Sequence, residues 1–477
     1  MNKLQTTLQS TTLRVILIGV LALILLIPVG MIKSVIYDRQ MNRESAINDI
    51  TSKWGDEQII AGPILTVPYD SYRTVDGKQI KEIAYAHFLP ENLNIETTVS
   101  PELRSRGIYD AVVYSSNISV SGDFEKPDFA SLGINSQFIH WNNAFIAVGI
   151  PDIRGVEERT DFNLNNQKLQ FISGIKTDDV IREINNYTNN HWDIYGETKI
   201  KAMAVGETQG RSSSGLSVNI PASALYSKNN FSFDLKLKGS ERLAFAPVGK
   251  TTDVKVSSDW ASPSFDGSFL PNNREVSEAG FVSDWHILDL NRNYPQSWTG
   301  STYGIYDSVF GVSLIEPVDG YQKSERSVKY ALLIIALTFL VFLSFEIFNR
   351  RRVHPIQYIL IGLALVLFYA LLVSISEIIG FNLAYGIAGI STIGLILLYS
   401  LTVLKEKRFV AIEGGVLIFL YAFIYTLLQL EDYALFIGSL GLFLILATIM
   451  YLSRKVDWYS LDNRENSILD KNTFLGL

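Results

Sequence analysis

The sequence predicts an α+β membrane protein with one N-terminal transmembrane helix, a large mainly-β periplasmic domain and a C-terminal bundle of five transmembrane helices. Three observations predict it. Apolar runs long enough to cross the hydrocarbon core, about 20 residues each, occur only at the two ends of the 477-residue chain. The stretch between Ile36 and Ser327 has ordinary soluble composition, rich in Asn, Ser, Asp and aromatics. Lys and Arg follow every second apolar run, as they do on the cytoplasmic side of a membrane. The chain then divides into a cytoplasmic N terminus (1–14), a first span (15–35), the β domain (36–328), five further spans (329–349, 355–376, 381–404, 409–428 and 433–453) and a cytoplasmic tail (454–477).

Met1 to Arg14 followed by Val15 to Ile32 has the basic-then-apolar order of a secretory signal. Its apolar run is long, and no small-x-small site precedes Lys33, which predicts an uncleaved signal anchor. Next, Met41, Ala46, Ile47 and Ile50 recur at helical spacing and predict a short separate helix over Asp38 to Trp54. From Gly62 onward the pattern changes to strands of about five to eight residues, among them Ile64–Tyr69, Ile83–Phe88, Val112–Val120, Phe145–Ile150 and Phe231–Leu237. Thr177 to Thr188 is the exception and predicts a capped helix. Asp161, Asn163 and Asn165 imitate a calcium loop, but Asn166 and Ile172 stand where Gly and Glu are required, so the segment predicts a turn. The serines of Arg211 to Gly215 predict a loop.

Five apolar runs follow: Tyr330–Phe348, Ile356–Ile375, Phe381–Leu404, Val410–Leu428 and Tyr433–Leu452. Arg350 to Arg352, then Lys405, Lys407 and Arg408, then Arg454 and Lys455 place alternate loops inside, whereas Glu377, Glu431 and Asp432 mark the outer loops. Gly380, Ala384, Ala388 and Thr392 set a small residue at every fourth position, a packing seam that Gly386, Gly389 and Gly394 extend. Charged groups in the bundle lie near helix ends. Glu346 is spaced to pair with Arg350, Glu413 is expected to pair at the interface with Lys407 and Arg408, and Glu377 sits at an outer helix end. With His354, these are the candidate functional residues of the bundle.

Residues 36 to 328 hold 27 Lys and Arg against 38 Asp and Glu, an acidic balance that disfavours nucleic acid and anionic lipid surfaces as partners of the domain. The chain has no cysteine, which excludes disulfides, thiol catalysis and cysteine-ligated metals. Neither Gly-x-Ser-x-Gly nor His-Glu-x-x-His occurs, no phosphate-binding glycine motif is present, and the five histidines are scattered without a visible carboxylate cluster. No metal or cofactor is implied, and the expectation is a protein that is not an enzyme. The densest aromatic and turn-rich material runs from Ser258-Asp259-Trp260 to Pro271, followed by Trp285, Tyr294 and Trp298. Trp260 and Asp266 are the candidates there, and the composition suits either core and turn chemistry or a shallow groove for a sugar or peptide.

These residues resemble the CreD family of inner-membrane proteins. The resemblance runs through Trp54-Gly55, Gly62-Pro63, Pro68-Tyr69, Arg106-Gly107-Ile108-Tyr109 and Ser258-Asp259-Trp260 to Phe269-Leu270-Pro271. It continues through Asn291-Arg292, Pro295-Gln296, Phe310-Gly311-Val312, Pro317-Val318-Asp319, His354-Pro355-Ile356-Gln357-Tyr358, Ser376-Glu377 and Asp457-Trp458-Tyr459. It implies expression under a two-component sensor and a role in envelope integrity, stress response and colicin tolerance in Gram-negative bacteria. It brings no catalytic residues. The expected function is non-enzymatic support of the envelope through binding of an envelope protein, glycan or lipid by the outer domain. The alternatives are a transporter or flippase that works through the bundle and, third, a periplasmic hydrolase of unfamiliar layout.

Overall fold

Asn165 and Asn166 both adopt left-handed backbone, with φ of 47° and 69°, the conformation that a two-residue hairpin loop requires and Asn tolerates. They close a tight hairpin, and the false calcium loop is a turn, as its sequence predicts. In the computed structural model, which describes residues 11–76, 78–180, 214–314, 320–349, 353–404, 406–430 and 433–454, the chain forms two compact units. One is Ser45–Pro317; the other joins the N-terminal 44 residues to Val318–Leu477.

The described residues of the middle unit hold 17 strands. In chain order they are β1 (Gln58–Val75), β2 (Lys78–Phe88), β3 (Asn92–Arg106), β4 (Tyr109–Phe124), β5 (Phe145–Gly149), β6 (Asp161–Leu164), β7 (Gln167–Gln170), β8 (Ile172–Ser173) and β9 (Gly215–Asn219). Then come β10 (Asn229–Ser240), β11 (Arg242–Phe245), β12 (Thr251–Ser258), β13 (Pro263–Gly267), β14 (Asn273–Ser277), β15 (Gly280–Leu288), β16 (Ser297–Thr299) and β17 (Phe310–Leu314). One sheet has the order β14-β15-β12-β3-β4-β10-β6-β7; the other runs β13-β17-β11-β1-β5-β9-β8, with β2 on β1 and β16 on β2. Pairing is antiparallel except for β1 with β11 and β12 with β3.

Alternation explains the layering. In β10, Phe231, Phe233, Leu235 and Leu237 are buried while Ser232, Asp234 and Lys236 face outward, and Leu93, Ile95 and Val99 of β3 do the same. These side chains share one hydrophobic cluster with Ile59, Leu65, Val67, Phe145, Phe245, Phe310 and Val312 of the other sheet. A strand with one buried face must alternate, and two such faces form a sandwich core. Central β1 has buried residues in both phases from Gln58 to Pro68, so its sequence reads as a continuous apolar run. The Gly62-Pro63 pair interrupts it at a register shift between Ala61 and Ile64, a bulge being where a strand tolerates proline. The predicted capped helix over Thr177 to Thr188 is described only at Thr177–Val180, where the Asp179 N–H donates to Thr177 Oγ1 at 3.3 Å and Asp179 and Val180 form a turn; its remainder, like Arg211–Ser213, lies outside the described residues.

The N-terminal helix differs from expectation. Helix α1 (Thr11–Ile24) is followed after one residue by α2 (Leu26–Trp54), where a short separate helix from Asp38 was expected. Pro28 lacks the N–H that the Ile24 carbonyl would accept, which breaks the ladder at Leu25. Neither Gly nor Pro follows Gly30 before Gly55, and α2 therefore continues unbroken past Asp38. At its end the Trp54 Nε1 donates to the Tyr114 carbonyl at 3.1 Å, and the indole lies between Arg104 and Lys238.

The other unit contains α3 (Gly320–Lys329), α4 (Ala331–Asn349), α5 (Pro355–Ile379), α6 (Phe381–Leu404), α7 (Lys407–Gln429) and α8 (Ala434–Ser453). By length and composition, four described helices can cross a membrane: Leu13–Trp54 taken as one, α5, α6 and α7. A fifth is counted if α3 and α4, bent by 44°, form one span, and Phe436–Thr448 within α8 is a shorter apolar segment. Many apolar side chains face outward, including Ile378, Ile390 and Leu398, as lipid contact allows. The small-residue seam is built as expected at Ala384, Ala388 and Thr392, all buried. Gly389 opposes Tyr421, and Gly414 of α7 opposes Leu397. Gly380 instead caps α5 with φ of 81°, and Gly386 and Gly394 face open space rather than extending the seam.

Candidate functional site

In the β unit, Asp266 is drawn into a salt bridge. The Arg242 side chain on β11 is 2 % exposed, and its Nε and Nη2 donate to Asp266 Oδ1 on β13 at 2.8 and 2.6 Å. Ser313 on the intervening β17 donates to the other carboxylate oxygen at 2.5 Å. Asp266 is thereby the counter-ion of a buried guanidinium. Trp260 is half-buried against the sandwich core, and its backbone N–H donates to Ser258 Oγ at 3.2 Å.

The same aromatic stretch does border a cleft of about 320 Å³, lined by Phe269, Arg292, Tyr294, Tyr303 and Asp307 with flanking Asn, Ser and Thr side chains. Trp285 holds one edge in place, its Nε1 donating to the Phe269 carbonyl at 3.1 Å. After β15, a single 3-10 turn at Asp289–Asn291 leads the chain inward. Arg292, 7 % exposed, stacks on the Tyr294 ring at 4.3 Å. Its Nη1 donates to the Tyr294 carbonyl at 2.5 Å and its Nη2 to the Gly249 carbonyl at 3.4 Å and to Gln296 Oε1. These acceptors are all neutral, and Nε has none among the described residues. Burial pushes the Arg292 guanidinium below its ordinary pKa, against the opposing pull of Tyr294 and Asp289. The Tyr294 hydroxyl is fixed by the Pro247 carbonyl at 3.2 Å and Ser308 Oγ at 2.9 Å. Its ring and that of exposed Tyr303 pack against Trp298. Sequence reasoning marked Phe269, Tyr294 and Trp298 by their density; nothing in its pattern set buried Arg292 apart from the arginines at the surface.

Three of the scattered histidines each have a single acidic neighbour in the fold. His140 Nε2 lies 2.8 Å from Asp70, which also holds Lys81 at 2.8 Å. His286 Nδ1 lies 2.6 Å from Asp253. Buried His87 meets Thr66 Oγ1 at 3.1 Å and has Asp179 3.5 Å from its Nε2. Bonds from Lys81 and His140 hold the Asp70 carboxyl below its ordinary range, and His87 does the same for Asp179. The partners lie far apart in sequence, so spacing could not reveal them. Among the described residues, no group of three His, Asp or Glu is arranged to hold a metal ion.

In the helical unit, Glu377 accepts from the Tyr321 hydroxyl at 2.9 Å and lies 3.7 Å from Arg39, tying α5 to α3 and α2. His354 is the N-cap of α5: its Nδ1 accepts from the Ile356 N–H at 3.3 Å, and Gln357 returns a bond to the His354 N–H at 2.9 Å. Glu346 accepts from the Val353 N–H at 2.5 Å; its expected partner Arg350 lies outside the described residues. Glu413 is a correction. It does not pair with Lys407 or Arg408, which are exposed, because six and five helical positions rotate them about 120° and 140° away from it. Glu413 is 1 % exposed, and among the described residues neither carboxyl oxygen has a hydrogen-bond partner. The Ser400 hydroxyl of α6 faces it.

A family model described as inner membrane protein CreD matches residues 10–459. The chain is also similar to the inner membrane protein CreD of Escherichia coli (strain K12), with 32 % identity over 449 residues, covering 92 % of this chain and 91 % of that protein.

Proposed function

The chain belongs to the CreD family of inner-membrane proteins, and from that premise we propose that it supports envelope integrity without catalysing a reaction, by binding an envelope component through its β unit. The observation that carries this reading is the cleft floored by Arg292. It gathers aromatic faces, amides, hydroxyls and a buried charge in one concavity, the composition by which a binding pocket orients a small ligand. The carboxylates singled out in the β unit and at the ends of α4 and α5 are occupied in holding the fold together. Tolerance to envelope stress and to colicins follows from the same reading.

The cleft is tested by complementation. In a strain lacking this protein, cleft variants Tyr303→Ala and Asn293→Ala are expected to accumulate normally in the membrane yet fail to restore resistance to detergent. Restoration equal to the unaltered chain would remove the cleft from the function.

The reading places the β unit in the periplasm, six helices across the inner membrane and both termini in the cytoplasm. A naturally cysteine-free chain makes this directly measurable with a membrane-impermeant maleimide. Exposed Lys126→Cys should label in cells whose outer membrane is permeabilised, and exposed Lys407→Cys only after lysis. The reverse pattern would invert the topology. A second reading, a transporter or flippase, is favoured by one observation, the unpartnered Glu413 carboxyl inside the bundle.

A further inference from the structure

We propose that the Arg292 cleft recognises a saccharide carrying an acidic group, a carboxylate or a phosphate. This rests on the reading of the β unit as a binding module and names the class of ligand. The charge at the cleft floor comes first. A guanidinium removed from water normally keeps an acid partner, as Arg242 keeps Asp266 in this unit. Among the described residues Arg292 is held by three backbone carbonyls and an amide oxygen, all neutral, with its Nε lacking an acceptor. Its positive charge is thus uncompensated by any directly bonded carboxylate, and an anionic ligand supplies what the protein omits.

The walls select what carries that anion. Tyr303 and Phe269 offer ring surface, Asn291 and Asn293 offer amides that both donate and accept, and Ser268 and Thr302 offer hydroxyls. A sugar ring has an apolar C–H face and a rim of hydroxyls, which match rings and amides respectively. Asp307 also lines the cleft and opposes a ligand with many negative charges. A bare anion would leave the aromatic walls uncovered, and a neutral sugar would leave the guanidinium unmatched. The volume of about 320 Å³ stands at the lower end of the range for small-ligand pockets, roughly 300–1,000 Å³.

The test uses the full chain in lipid nanodiscs and follows tryptophan fluorescence, since the Trp298 ring centroid lies 6.0 Å from that of Tyr303 at the cleft. The probes are trigalacturonate, a hexose phosphate, neutral galactotriose and inorganic phosphate. At least one acidic sugar is expected to bind about tenfold more tightly than galactotriose, the scale of one charge-assisted hydrogen bond, and Tyr303→Ala should weaken it about as much. Tyr303 is exposed, and its replacement leaves the core intact, whereas Arg292→Lys tests the guanidinium directly and requires a folding control. Equal binding of acidic and neutral sugars overturns the acidic class while leaving a binding module. Binding of inorganic phosphate as tight as the sugars, unaffected by Tyr303→Ala, overturns saccharide recognition. Failure of all four probes overturns both the class and the assignment of this cleft as the binding site.

Discussion

Asp266→Ala is expected to destabilise the β unit by about 3–5 kcal/mol, because it removes the carboxylate that accepts two bonds from a buried guanidinium. Arg242 is tied into the sandwich on every side. Its backbone pairs with Ser313 of β17, its carbonyl accepts the Tyr114 hydroxyl at 2.8 Å, and its side chain is closed over by β13. It has no route to water short of opening the sheet edge, so the cost cannot be relieved by a change of rotamer. Asp266→Asn keeps an acceptor at the same place and should lose less. The double variant Arg242→Met/Asp266→Leu should recover most of the loss, since apolar side chains of similar volume can replace a buried pair at little net cost. Denaturant midpoints of the full chain in detergent measure all three. A loss below about 1 kcal/mol for Asp266→Ala, the level of an exposed pair, would show that solvent already screens Arg242. The same series separates a structural from a ligand-binding Asp266: the structural role predicts low abundance, with any folded fraction binding the probes as the unaltered chain does.

The sandwich was legible wherever burial is one-sided. Phe231, Phe233, Leu235 and Leu237 write their own strand and face, and all five strand segments picked out by pattern lie within or overlap observed strands. Strand length was underestimated where a strand leaves the core. In β2, Lys78 to Ile83 is exposed, so no alternation is imposed and only the pairing with β1 continues. Sheet order was not legible, because the parallel partners β1 and β11, or β3 and β12, share no local signal. The site was partly legible. Aromatic density pointed to the stretch that borders the Arg292 cleft, whereas a counter-ion on a turn-rich strand, as Asp266 is, reads like any exposed carboxylate until its partner is known. The His140–Asp70 and His286–Asp253 pairs were invisible for the same reason. Glu413 is close to Lys407 and Arg408 in sequence, but the helical angle between them sets it on a different face.

Glu413→Leu is expected to stabilise the helical unit by about 1–3 kcal/mol, the opposite sign to Asp266→Ala and for the converse reason. An unmade hydrogen bond at a buried polar atom costs about that much, and both Glu413 oxygens lack a partner among the described residues. Leucine is close to glutamate in volume and meets apolar neighbours, since Leu397 lies against the adjacent Gly414 and Leu417 is fully buried one turn on. Glu413→Gln retains the polar burden and should be near neutral. Thermal unfolding of the full chain in nanodiscs gives the comparison, and a lower melting temperature for Glu413→Leu would mean that the carboxyl is satisfied within the bundle after all. The complementation assay then assigns the residue. A carboxyl kept in a membrane interior against its own cost is characteristic of a group that does work there. If the stabilised Glu413→Leu protein fails to restore envelope resistance, the bundle takes part in the activity and the transport reading gains. If resistance is fully restored, the function lies in the β unit, and the bundle serves to hold it in the membrane.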